Sequence, residues 1–127
     1  MRTKWTPERL AAVADCYPLI DIELRYKRRV RRGGKLVRKY APAHAVLLDK
    51  YVLLPRPDTI FGLYVNLHER AHFLLRHFNL CDAQTKRHAD MYTGNGQLTN
   101  AEQEYQAEQW AIATMQQTLP RRSCSRW

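Results

Sequence analysis

Apolar residues recur along this chain with two periods, and each change of period marks a new element. Thr6-Pro7-Glu8 reads as a helix start and predicts a helix near 7–16. Alternation through Leu24, Tyr26 and Val30, a Gly33-Gly34 turn, then Leu36 and Val37 predict a β-hairpin within 20–40. Short strands follow near 44–48 and 51–54, joined at Asp49-Lys50. The run Leu63 to Leu67 and the trio Phe73-Leu74-Leu75 then fit one buried helix at about 62–78, with Leu67, Ala71, Leu74, Leu75 and Phe78 on its apolar arc. A loop is expected over 79–98, with a turn at Gly94-Asn95-Gly96, long enough to close over a cleft. Thr99-Asn100-Ala101-Glu102 is a capping box and Leu119-Pro120 a stop, so a last helix spans 100–118. Its inward stripe would be Ala101, Glu104, Tyr105, Glu108, Ala111, Ile112, Met115 and Leu119. The whole reads as one α+β domain over 1–120, a short antiparallel sheet with hairpins packed on two long helices, with a flexible tail at 121–127.

Charge changes this picture at one place. Arg25, Lys27, Arg28, Arg29, Arg31, Arg32, Lys35, Arg38 and Lys39 are nine bases with no acid between Leu24 and Leu48, while the other twelve bases balance the twelve acids. The net charge of +9 therefore belongs to the hairpin segment. A two-residue turn would set Arg32 opposite Lys35 and Arg29 opposite Arg38, like-charge pairs that weaken a sheet unless something anionic lies across them. Such a surface suits nucleic acid or an acidic protein, and a solvated basic face is the simpler alternative.

Composition bounds the class. A chain of 127 residues and 15.0 kDa holds one core. No stretch of eighteen apolar residues and no hydrophobic leader is present, so a soluble, unprocessed protein without a membrane partner is expected. Cys16, Cys81 and Cys124 are odd in number and lack CxxC spacing, which suits a reducing cytoplasm better than a disulfide framework.

The candidate chemistry sits on the fourth apolar run. In His68-Glu69-Arg70-Ala71-His72 the imidazoles are four residues apart, about 40° around a helix and roughly 6 Å along it, so both can reach one metal ion. Glu69 points about 100° away from His68, poorly placed to ligate but well placed to take a proton from a metal-bound water. His77, about 180° from His68, is expected on the surface. A catalytic zinc site needs a third protein ligand. Two carboxylates, Glu104 and Glu108, fall on the otherwise apolar stripe of the last helix, where an unpaired charge would cost several kcal/mol unless a metal or histidine offsets it. In the loop, His88 or Tyr92 could stabilise an oxyanion, with an ordinary loop residue the simpler reading of each. Trp110 is read as packing.

His68-Glu69-x-x-His72 followed by Glu104-Tyr105-Gln106-Ala107-Glu108 resembles the gluzincin metallopeptidases. The spacing and size resemble the ImmA/IrrE group, and the Glu-x-x-Ala-Glu-x-x-Ala form the peptidase-like part of plasmid antirestriction proteins. The likeness covers about 44–120. It departs at Arg70-Ala71, where a small or glycine-containing pair is usual, and at Glu108, where the ImmA/IrrE pattern has Asn. The resemblance implies a zincin-like fold, a Zn²⁺ ion held by His68, His72 and Glu104, Glu69 as general base, and Glu108 orienting a ligand histidine. The implied function is hydrolysis of a peptide bond in an intracellular protein, with a strand edge near 44–54 aligning the substrate. The alternative is a non-catalytic, zincin-shaped binding module from a mobile element that grips DNA or an acidic protein through the hairpin.

Overall fold

The computed structural model describes residues 5–26, 29–32, 35–38, 44–46 and 51–118, with the backbone alone for 29–32, 35–38 and 44–46. Helix α1 (Pro7–Asp15) starts where Thr6 Oγ1 accepts the Arg9 amide at 3.3 Å. Strand β1 (Glu23–Tyr26) follows, then β2 (Arg29–Arg32), β3 (Lys35–Arg38), β4 (His44–Val46) and β5 (Tyr51–Leu54). Helix α2 (Ile60–Leu74) is followed by a 3₁₀ turn (Leu80–Asp82), α3 (Lys86–Tyr92) and α4 (Asn100–Thr118).

The class is α+β, but the sheet is not purely antiparallel. Strands β4 and β5 pair antiparallel, and β2 pairs β3 antiparallel in a sheet of its own. Strand β1 instead runs parallel to β5, giving the order β1-β5-β4. The 20–40 segment therefore splits. Leu24 and Tyr26 pack against the core cluster of Leu19, Ile22, Val52, Leu54, Phe73 and Tyr92, which draws β1 away from the basic hairpin. Arg25 leaves the hairpin with it: its guanidinium stacks 4.1 Å over the Tyr51 ring and pairs with Glu23 at 3.1 Å. The expected register of the hairpin holds, with Arg29 opposite Arg38 and Arg32 opposite Lys35. Lys27, Arg28, Gly33, Gly34, Lys39, Asp49, Lys50, the Leu119-Pro120 stop and the tail 121–127 lie outside the described residues.

Helix α2 is the spine. Phe73 faces the sheet cluster, while Leu63 and Leu67 face a second cluster with Leu10, Val13 and Ala14 of α1 and Ala111 of α4. Trp110 packs at the edge of this second core, its ring 5.0 Å from that of Tyr17. Removing each such large side chain from water contributes about 1.5–3 kcal/mol. Arg70, inside the motif, is fully buried on the α1 side. Its Nε donates to Asn66 Oδ1 at 2.7 Å and one guanidinium nitrogen to the Tyr17 carbonyl at 2.8 Å, while Asn66 donates to the Pro55 carbonyl. Burial pushes its pKa down, opposed by Tyr26 and Asp15. Arg70 and Asn66 thus tie α2 to the segment that follows α1 and to Pro55, just past β5.

Two expectations fail in the second half. The motif helix stops at Leu74, so Phe78 packs on Phe73 from beyond the helix, and Leu74 is partly exposed. The region 79–98 is not simply a loop, because Thr85 caps α3 by accepting the His88 amide at 3.0 Å.

Candidate metal centre

The α2–α4 contact brings the motif together, and small residues make that possible. Ala71, Ala107 and Ala111 are fully buried, so the helices approach without bulk between them. The buried face of α4 is Ala107, Ala111 and Thr114, centred about 95° around from the expected stripe, of which Ala111 is buried and Met115 partly so. Glu104, Tyr105 and Glu108 are consequently exposed rather than inward. No desolvation cost holds Glu104 in place; it sits at the rim and reaches over.

His68, His72 and Glu104 converge there, each offering one ligand atom, with those atoms within 4.8 Å of one another. His68 Nε2 is 3.0 Å from one Glu104 oxygen and His72 Nε2 is 3.4 Å from the other. Donors around a zinc ion at its usual bond lengths stand about 3.3–3.5 Å apart, so three donors within 4.8 Å of one another lie close enough for small side-chain adjustments to gather them on one ion. Both imidazoles are mostly buried, whereas the Glu104 side chain is 61% exposed.

Electrostatics separates the two rings. The Glu69 carboxylate, 3.5 Å from His68 Nδ1, raises the pKa of His68; burial opposes this, and the fields of Glu104, Glu69 and Glu108 add to it. His72 is pushed down, chiefly by burial, against the pull of Glu69 and Glu104. Glu69 is itself largely shielded and lies beside the cluster without joining it.

Glu108 makes no described hydrogen bond or ion pair to either ligand histidine and reaches His68 and Tyr64 only through its charge. The ring that does meet His72 belongs to another residue. His77, expected on the surface, is buried, and its Nδ1 lies 2.9 Å from His72 Nδ1. Its Nε2 is 2.8 Å from Gln106 Oε1 on α4. The helix ends a turn early, so His77 folds back instead of continuing around the cylinder. The sequence offers little warning, since Arg76 takes the left-handed conformation (φ 60°) usually marked by glycine or asparagine.

Neither expected oxyanion stabiliser lies open to a cleft. The Tyr92 hydroxyl donates to the Ile20 carbonyl at 2.7 Å, and Tyr92 packs against Phe73. His88 is buried beside the Tyr92 ring. Tyr64 is the phenol beside the cluster, its ring centroid 6.1 Å from that of His68. Burial, reinforced by Glu108 and Glu104, raises its pKa and keeps its proton in place.

Compared with known proteins, the chain matches no family model, no curated protein and no solved structure. Among the described residues no helix is long and apolar enough to cross a membrane. Cys16 and Cys81 are free and exposed; Cys124 lies outside the described residues.

Proposed function

We propose that the chain is a zinc-dependent peptidase of the gluzincin kind, with His68, His72 and Glu104 as ligands, acting on an intracellular protein. The observation that carries this reading is the convergence of two imidazole nitrogens and one carboxylate within 4.8 Å of one another, with Glu69 alongside. His68, His72 and Glu104 would hold the zinc ion, which when bound would supply Lewis acidity to a water molecule and to the scissile carbonyl. Glu69 takes the water proton as the new C–O bond forms, and delivers it to the amine as the C–N bond breaks. Tyr64 retains its proton at neutral pH and can donate to the carbonyl oxygen, taking the place of His88 or Tyr92 in that task. Strand β4, at the edge of the described sheet and packed near α2, offers its backbone to an extended substrate.

The test is Glu69→Gln, which preserves shape but cannot accept the proton. Zinc content and thermal stability should stay at wild-type values while peptide hydrolysis, followed by mass spectrometry on a peptide library, falls by a factor on the order of 10² to 10⁴. Equal cleavage by both proteins would remove the enzyme reading. One observation favours the second reading, a binding module: the β2–β3 register sets cations opposite cations, a pattern a polyanion would relieve.

A further inference from the structure

The end of α2 is a Schellman motif. The His77 amide donates to the His72 carbonyl at 3.0 Å and the Arg76 amide to the Phe73 carbonyl at 3.0 Å, around the left-handed Arg76. Such motifs bring the side chains at their two ends together, commonly as an apolar contact. Here the two side chains are His72 and His77, and they meet through nitrogen. The fold-back is pinned from outside: Asn95 donates its amide to the Arg76 carbonyl and its side chain to the Leu75 carbonyl, both at 2.8 Å. On α4, Gln103 donates to the carbonyls of His77 and Leu98.

We propose that His77 is a positioning residue that, with Gln106, fixes His72 in the tautomer a metal requires. This rests on the metal reading of His68, His72 and Glu104. The protons can be counted along the relay. The Gln106 amide oxygen only accepts, so His77 Nε2 carries the proton of that contact. With Nε2 donating to Gln106, His77 Nδ1 is the ring nitrogen that accepts. The proton between the two Nδ1 atoms must belong to His72, which leaves His72 Nε2 bare and facing Glu104. Turning the Gln106 amide over would reverse every proton in the relay and cap His72 Nε2 with hydrogen. The exposed end of the relay therefore sets the competence of its buried end.

The experiment is zinc affinity by chelator competition, together with ¹⁵N NMR of the histidine side chains in the full chain. Wild type should bind one zinc and show His72 protonated at Nδ1. His77→Phe should weaken zinc by about 10- to 100-fold, the usual loss when a ligand histidine loses its partner. Gln106→Glu, which can only accept, should tighten it, and Gln106→Met, at a surface position that does not open the core, should loosen it. The double variant His77→Phe/Gln106→Glu should bind like His77→Phe alone, because a relay acts only through His77. Wild-type affinity in His77→Phe or in Gln106→Met would overturn the positioning role while leaving the metal reading intact. A Gln106→Glu gain that persists without His77 would reduce the effect to charge and overturn the relay. No zinc bound by wild type would instead remove the metal reading itself.

Discussion

At the α2–α4 contact two imidazoles face one carboxylate at 3.0 and 3.4 Å, whereas in the β2–β3 hairpin the register sets Arg29 opposite Arg38 and Arg32 opposite Lys35. The first place gathers lone pairs around one point; the second gathers positive charge along a ribbon whose segment holds no acid. Their needs differ in kind. Coordination depends on the placement of three atoms, so a small displacement abolishes it. Attraction to a polyanion depends on charge number and is graded by salt. The proposed ion site would thus answer to geometry, and the basic hairpin, if it meets an anion, to the number of its charges.

The comparison breaks most easily at the ligands. Wild type should bind one zinc, and His72→Ala or Glu104→Ala should each weaken it by more than about 100-fold, exceeding the loss of an orienting partner alone. Chelator competition measures this. Stoichiometric zinc in Glu104→Ala would strike that ligand from the set, with Glu108 the next carboxylate to remove. At the hairpin, changing Arg28, Arg29, Arg31 and Arg32 together to Ser should leave zinc content unchanged. It should flatten the log–log salt dependence of duplex-DNA binding by about 0.9 for each phosphate that is no longer neutralised. Wild type with no affinity for DNA or for acidic proteins near 0.15 M salt would leave the hairpin a solvated face, since exposed charges are screened beyond about 8 Å there.

Gly96→Ala sharpens the contrast through the scaffold. A Cβ there would stand 2.7 Å from the Phe78 carbonyl and 2.8 Å from the Asn79 amide, on the segment that follows His77. Overpacking of this kind costs about 1–3 kcal/mol, and thermal unfolding should show it together with weaker zinc binding. DNA binding should not change. The smallest effect is expected at the start of α4. Thr99 and Glu102 satisfy each other's backbone amides at 3.0 and 3.2 Å, and Thr99→Ala should cost about 1 kcal/mol. The Thr99 amide, aided by its hydroxyl, holds the Glu102 pKa below the ordinary value. A lowered carboxylate stabilises the fold above its unfolded pKa and ceases to do so as pH falls through the folded one. The stability gap between wild type and Glu102→Gln should therefore narrow in acid; a gap that widened would contradict the cap.

Local signals are legible in the sequence and distant ones are not. The Thr6-Pro7 start, the Thr99 capping box and the hairpin register each depend on residues within a few positions, and each is found where expected. The expected α4 stripe holds at Ala111 and Met115 but fails at Glu104, Tyr105 and Glu108, because Tyr105 and Glu104 look like anchors while the buried face there is drawn by the small Ala107. The parallel pairing of β1 with β5 joins strands far apart in sequence, and no turn announces it. His68 and His72 can be picked out by spacing, whereas Glu104 is named only through the family resemblance, since the burial expected of it fails. His77 cannot, because its place depends on a left-handed arginine and on a glutamine 29 residues away. Thr85 is the available signal for α3, hidden by the polar residues around it.

Glu104 occupies the first turns of α4, the part of a helix that opens at the lowest free energy, while both histidines stand on the buried spine. The three arms of the cluster would then let go on different clocks. An ion held there would exchange at the pace at which the Thr99 end of α4 frays, long before α2 opens. Hydrogen exchange at the amides of residues 102–104 should therefore slow on zinc loading in parallel with the metal's own exchange rate.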